Sequence, residues 1–97
     1  MFIKQAKINK LMADMINWRD LAHENYTLAK DVQHAYVKQA RDRTLSVVDA
    51  EARAAKDSRF VNAVSNNQMY DRFATRDAAV LTALASLVTA GLLEVAE

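Results

Sequence analysis

From residue 3 to about residue 56 no glycine or proline interrupts the chain, and the hydrophobic positions fall three and four residues apart. Leu11, Met15, Trp18, Ala22, Asn25, Ala29, Val32 and Tyr36 step alternately by four and three, the spacing of a coiled-coil seam, in which one stripe of a helix faces a second helix. Leu21, Tyr26 and Leu28 lie beside the seam and widen it. Asp49, Arg53 and Asp57 form an i, i+4 series of alternating charge that supports helix to about residue 56. A straight helix over this segment would reach about 80 Å at about 1.5 Å per residue. A short chain cannot cover such a rod, so the pattern predicts a bend or a partner. Asn17 with Asp20, and Ser46 with Asp49, both have the form of helix starts. A kink or break is expected between Arg41 and Ser46.

A second boundary is expected at Ser65-Asn66-Asn67-Gln68. Ser65 and Gln68 stand as N-cap and N3 of a capping box, and Val64 and Met69 as the two halves of a hydrophobic staple. This predicts a short helix over 58–64 and a C-terminal helix over 66–95. In that last helix Met69, Tyr70, Phe73, Val80, Leu81, Leu84, Leu87, Val88, Leu92 and Val95 cover more than one face, and residues 78–93 are 16 consecutive uncharged positions. A helix apolar all round is buried, in a core or in a membrane. The fold class is therefore all-α: a long N-terminal helical segment (about 3–56), a short connecting helix and an apolar C-terminal helix, forming one domain whose bundle is expected to be completed by oligomerisation.

Composition sharpens this picture. Across 97 residues there is one glycine and no proline, so the turns that hairpins need are scarce and a β fold is not expected. A domain this short hides only about 60–65% of its unfolded surface, and small chains without staples commonly gain stability by associating. No cysteine is present, which removes disulfides and thiolate metal sites. Residues 1–43 hold eight of the 13 Lys/Arg and five of the 12 Asp/Glu. That mild asymmetry favours head-to-tail or antiparallel association and is too weak to imply nucleic acid. Lys4, Lys7 and Lys10 are basic, but no apolar run with a small-residue cleavage site follows them, so export by a signal peptide is not expected.

Candidate chemistry is sparse. Asp20/His23 and Asp31/His34 share the i, i+3 spacing of the carboxylate–histidine pairs in ferritin-like metal bundles. Those bundles use Glu and draw ligands from facing helices, whereas both pairs here fall on one helix, as solvated polar residues do. No metal or cofactor is expected. Neither histidine has a distinctive serine partner for nucleophilic catalysis, and one glycine cannot build a phosphate-cradling loop, so an enzyme is not expected. The joint at 65–68 also reads as a helix-turn-helix, with Asn67, Gln68 and Arg72 near the start of its second helix. Asp71 and Asp77 on that helix oppose the cationic surface that phosphate binding needs. The tract 78–93 invites a holin-like membrane anchor, but spanning takes about 20 predominantly apolar residues, and this run is shorter and rich in Ala, Ser and Thr.

Trp18 is followed by Arg19 and Asp20, so the Trp-x-Gly turn of small secreted helical-hairpin proteins is absent. The stretch 57–76, DSRFVNAVSNNQMYDRFATR, followed by an Ala/Leu-rich helix, resembles parts of small helical proteins of tailed bacteriophages. It covers about a fifth of the chain and contains no motif of known chemistry. The resemblance implies a role in a particle or its assembly, and a location in the virion or the host cytoplasm. The leading expectation is a non-enzymatic assembly protein. Its interface is expected at Leu11, Met15, Trp18, Ala22, Ala29, Val32 and Tyr36 of the seam and Leu81, Leu84, Val88 and Leu92 of the last helix, with a second copy or another assembly protein as partner. A DNA-binding regulator and a membrane-associated protein are the alternatives.

Overall fold

The computed structural model describes residues 1–97 and is all-α apart from two three-residue strands: β1 (Phe2–Lys4), α1 (Gln5–Asp42), α2 (Val47–Ala54), α3 (Ser58–Thr89) and β2 (Glu94–Ala96). It divides into two compact units, one of residues 1–20 and 70–97, the other of residues 21–69.

Helix boundaries follow from local chemistry. α1 runs unbroken past Asn17 and ends in the expected interval between Arg41 and Ser46. Leu45 N donates to Ala40 O at 2.7 Å and Thr44 N to Arg41 O at 3.2 Å, the paired bonds of a Schellman cap. That cap demands a left-handed residue, and Thr44 supplies it at φ 57, a conformation that a β-branched residue adopts only under strain. Ser46 then caps α2, its Oγ accepting from Asp49 N at 3.3 Å. At the far end of α3 the single glycine, Gly91, takes φ 75, with Leu92 N bonded to Leu87 O and Gly91 N to Val88 O, both at 3.0 Å. The same cap is unstrained there.

Two expected boundaries are overturned. The short helix is α2, and α3 begins at Ser58 and continues through 65–68 without a break. The capping box fails because residues 60–81 of α3 already carry one continuous inward row: half-buried Phe60, buried Ala63, half-buried Val64, Asn67 and Tyr70, buried Ala74 and Asp77, then half-buried Leu81. Interrupting the helix at Ser65 would throw that row out of phase, so tertiary contact overrides the local cap. The true N-cap is Asp57, whose Oδ1 accepts from Arg59 N at 2.9 Å, and its carboxylate is taken up by Arg59 rather than by Arg53. The helices also stop short of the expected ends. Residues 2–4 and 94–96 pair as a parallel two-stranded sheet, Phe2 opposite Glu94 and Lys4 opposite Ala96. Their Phe, Ile and Val suit strand, and Gly91 frees β2 from α3.

In the second unit α1 and α3 run antiparallel. Asn67 Nδ2 donates to Ala22 O at 2.7 Å, Phe60 and Val64 share a cleft with Tyr26 and Ala29, and Tyr36 Oη reaches Asp57. In the first unit Trp18 meets Tyr70 and Phe73, and Ile8 lies with Leu81, Leu84 and Val88. Seven of the nine buried apolar residues are alanines, the others being Val32 and Leu93. Small side chains let two backbones approach closely, but they leave little apolar mass between them.

Thr44→Gly is expected to stabilise the protein by about 1 kcal/mol, because glycine adopts the left-handed conformation without the Cβ clash. A urea-unfolding midpoint that does not rise would show that the Thr44 side chain is worth its strain.

Candidate interaction surface

The seam is occupied within the chain. Ala22, Ala29 and Val32 are buried, and Leu11, Met15, Trp18 and Tyr36 are half-buried. Beside it Leu21 is half-buried while Tyr26 and Leu28 stay exposed. A four–three seam calls for a helix opposite, and α3 of the same chain answers. On the last helix, Leu81 and Leu84 are half-buried, Val88 is 39% exposed, and Leu92 lies beyond the helix end at 66%. The expected burial of the 78–93 tract is therefore incomplete within one chain, and no helix is long and apolar enough to cross a membrane.

A cluster anchors the first unit. Trp18 stacks on Tyr70 with ring centroids 5.8 Å apart and meets Phe73 edge-on at 5.2 Å, geometries that suit the aromatic quadrupole. The Arg76 guanidinium lies 5.1 Å over the Phe73 ring, and its Nε bonds the buried Asp77 carboxylate at 3.3 Å. Asp77, which in the sequence bounds the apolar tract and opposes a cationic surface, thus sits on the inward row of α3, and its phase on that row was the available signal.

The second unit is held by polar bonds. The Asp57 side chain, 12% exposed, accepts from Tyr36 Oη at 2.8 Å, from Arg59 Nη2 at 2.8 Å and from Arg59 Nε at 3.1 Å. The Arg59 side-chain bonds first, then the Tyr36 hydroxyl and the Arg59 amide, hold the Asp57 carboxyl far below the usual carboxylate range. The same hydrogen bond to Asp57, with burial, raises the Tyr36 phenol above its ordinary value. Nearby, Arg43 and Arg53 line a mixed-charge cleft of about 140 Å³ with Tyr36, Ser46 and Asp49.

Other sequence candidates are scattered. Asp20, His23, Asp31 and His34 are all exposed on α1, and no three His, Cys, Asp or Glu side chains come together anywhere. The helix-turn-helix has no turn, since α3 is continuous. Asn67 is spent on Ala22 O, and only Gln68 and Arg72 of that trio face solvent.

What remains is an apolar face on the first unit that sequence reading missed. Ile8, Met12 and Ile16 are one turn apart on α1, flanking the seam, with Met12 46% and Ile16 51% exposed. Ile8 borders an open groove of about 300 Å³ with Leu81, Leu84, Ala85, Val88 and Val95. The signal is present in the sequence as an i, i+4, i+8 series beside the longer seam. Comparison with family models, curated proteins and solved structures gave no match.

Two outcomes are expected. Trp18→Ala should cost about 3 kcal/mol, near the low end for aromatic truncation because the ring is only half-buried; an unchanged midpoint in circular-dichroism melts would mean the cluster contributes nothing. The depressed Asp57 pKa means its stabilisation is complete above about pH 4, where an unfolded aspartate is ionised, and is lost as pH falls toward its folded value. The raised Tyr36 pKa adds stabilisation present below about pH 10 and lost above it. Asp57→Asn keeps a capping oxygen but removes the charge, so it should flatten the acid limb of thermal stability against pH; an acid limb identical to wild type would place that dependence elsewhere.

Proposed function

We propose that this chain is a non-enzymatic interaction protein that works by self-association, as a small structural or accessory component of an assembly such as a phage particle. The observation that carries this reading is the apolar stripe of α1 in which Met12 and Ile16 are exposed and half-buried Ile8 borders the open groove of α3. Clustered exposed apolar side chains of this kind mark interaction sites. The phage setting rests on the resemblance of residues 57–76.

Magnitudes indicate how tight the association is. Met12, Ile16, Val88 and Val95 are each between 39% and 51% exposed, so covering what remains gains about 1 kcal/mol apiece. Two copies meeting through this face gain about 8 kcal/mol in gross terms, against association costs of about 4–15 kcal/mol. The contact is therefore weak for an isolated pair and depends on concentration, or on further interfaces that hold the copies together. Such contacts suit a particle in which many copies are held at once.

In sedimentation across a concentration series, wild-type protein is expected to grow in mass with concentration. The double variant Met12→Asp/Ile16→Asp should remain monomeric with unchanged helical circular dichroism. A variant that associates like wild type would remove this face as the interface.

A further inference from the structure

We propose that the β1–β2 sheet joins copies of this chain head to tail, the outer edge of β2 in one copy pairing with the outer edge of β1 in the next. This rests on the self-association reading and adds a second interface to it.

The argument begins with backbone valence. Two three-residue strands leave one edge open on each side. Glu94 N donates to Met1 O at 3.0 Å, so the Glu94 amide points at β1. Strand alternation then turns the Val95 amide outward, toward the open edge of β2, and by the same rule the Phe2 and Lys4 amides face the open edge of β1. These groups are donors and acceptors without a ladder, and an open edge is a template for another strand.

Charge selects which strand fits. Paired residues share a face, so Phe2, Lys4, Glu94 and Ala96 form one face of the sheet and Ile3 and Val95 the other. Val95 lines the apolar groove, which places Phe2, Lys4 and Glu94 on the outward face, where all three are exposed. β1 thus carries one cation, Lys4, with Lys7 following. β2 carries one anion, Glu94, with Glu97 following. If two copies paired β1 to β1, lysines would meet lysines, and pairing β2 to β2 would gather the glutamates. Both are unfavourable between neighbouring strands. Joining β2 to β1 of the next copy alternates the signs and repeats the arrangement already present within the chain. Short strands with an edge lysine resist indiscriminate pairing, and an acidic strand is the exception they admit. The contact is heterologous, using different patches on the two copies, so it propagates into a ring or a filament rather than closing as a pair.

The test is sedimentation and light scattering of the full chain at low salt. Lys4→Glu alone, and Glu94→Lys/Glu97→Lys alone, should each weaken association about tenfold, as expected when cross-strand pairs worth up to about 1 kcal/mol are turned from attraction to repulsion. The full swap Lys4→Glu/Glu94→Lys/Glu97→Lys should recover it, because opposite signs then face each other again both within each chain's sheet and between copies. Val95→Pro removes the outward amide without touching the Glu94 bond, a substitution that edge strands tolerate, and should block growth while leaving helical circular dichroism intact. Growth undiminished in Val95→Pro, or no recovery in the full swap, overturns the proposal. If those variants behave as wild type while Met12→Asp/Ile16→Asp is monomeric, the sheet inference fails and the apolar face stands. If wild type is monomeric at every concentration, both fail.

Discussion

Burial of alanine rather than of large side chains along α1 and α3 is the constraint on which the rest of this structure depends. Ala22 and Ala29 of α1 and Ala63 and Ala74 of α3 are buried, and no large side chain is fully enclosed. Two helices brought near by small residues gain contact between backbones and give up hydrophobic mass between them. The bulky residues, among them Trp18, Leu11, Phe73 and Leu84, are left on the flanks of the contact and only half-covered. Stability must therefore be gathered from specific contacts beside the seam, and apolar surface is left over.

The two units gather it differently. Residues 21–69 rely on directional bonds. Tyr36 and Arg59 converge on Asp57, Asn67 reaches across to Ala22 O, and Asn25 satisfies Leu21 O at 2.8 Å within its own helix. The two that cross between elements, Tyr36 to Asp57 and Asn67 to Ala22 O, fix which turn of α3 meets which turn of α1, and the first, to a carboxylate, is stronger than a neutral bond. Residues 1–20 and 70–97 rely on ring stacking and aliphatic contact instead, with Arg76 bridging the Phe73 face and the Asp77 carboxylate. Polar matching is demanding of geometry and aliphatic contact is tolerant, so register is specified most strongly in the unit that has the least spare apolar surface.

How much of this was legible in the sequence differs from one element to the next. The helical class, the break after Arg41 and the Ser46 cap could be read from local chemistry, because periodicity and capping act over a few residues. The seam was legible as a stripe seeking a helix. Its partner was not, since a four–three spacing is the same whether the opposite helix belongs to the same chain or another. Ser65 to Gln68 misled because a capping box is only a local preference, and the row through Phe60, Ala63, Asn67, Tyr70 and Ala74 binds the helix together across it. In the sequence Asp57 is a rung of a charge ladder. Its capping role depends on Tyr36, 21 residues away in the chain, and no local pattern carries that. The strands escaped notice because three residues are too few to establish a period. The stripe of Ile8, Met12 and Ile16 was visible as spacing, but which of two adjacent stripes stays uncovered is decided only when α3 settles on the other.

The pairing of Phe2 with Glu94 has a consequence for the order of events in folding. It joins residues farther apart in sequence than almost any other contact here, so loop-closure entropy opposes it until the two helices have already aligned. On a ribosome, β2 has no chance to dock before residue 96 has emerged, whereas α1 and α2 form from local bonds well beforehand. The sheet therefore closes late and reports that the helices beneath it are in place. An assembly that reads this sheet would discriminate subunits whose helices have packed from those whose helices have not, without any separate checkpoint.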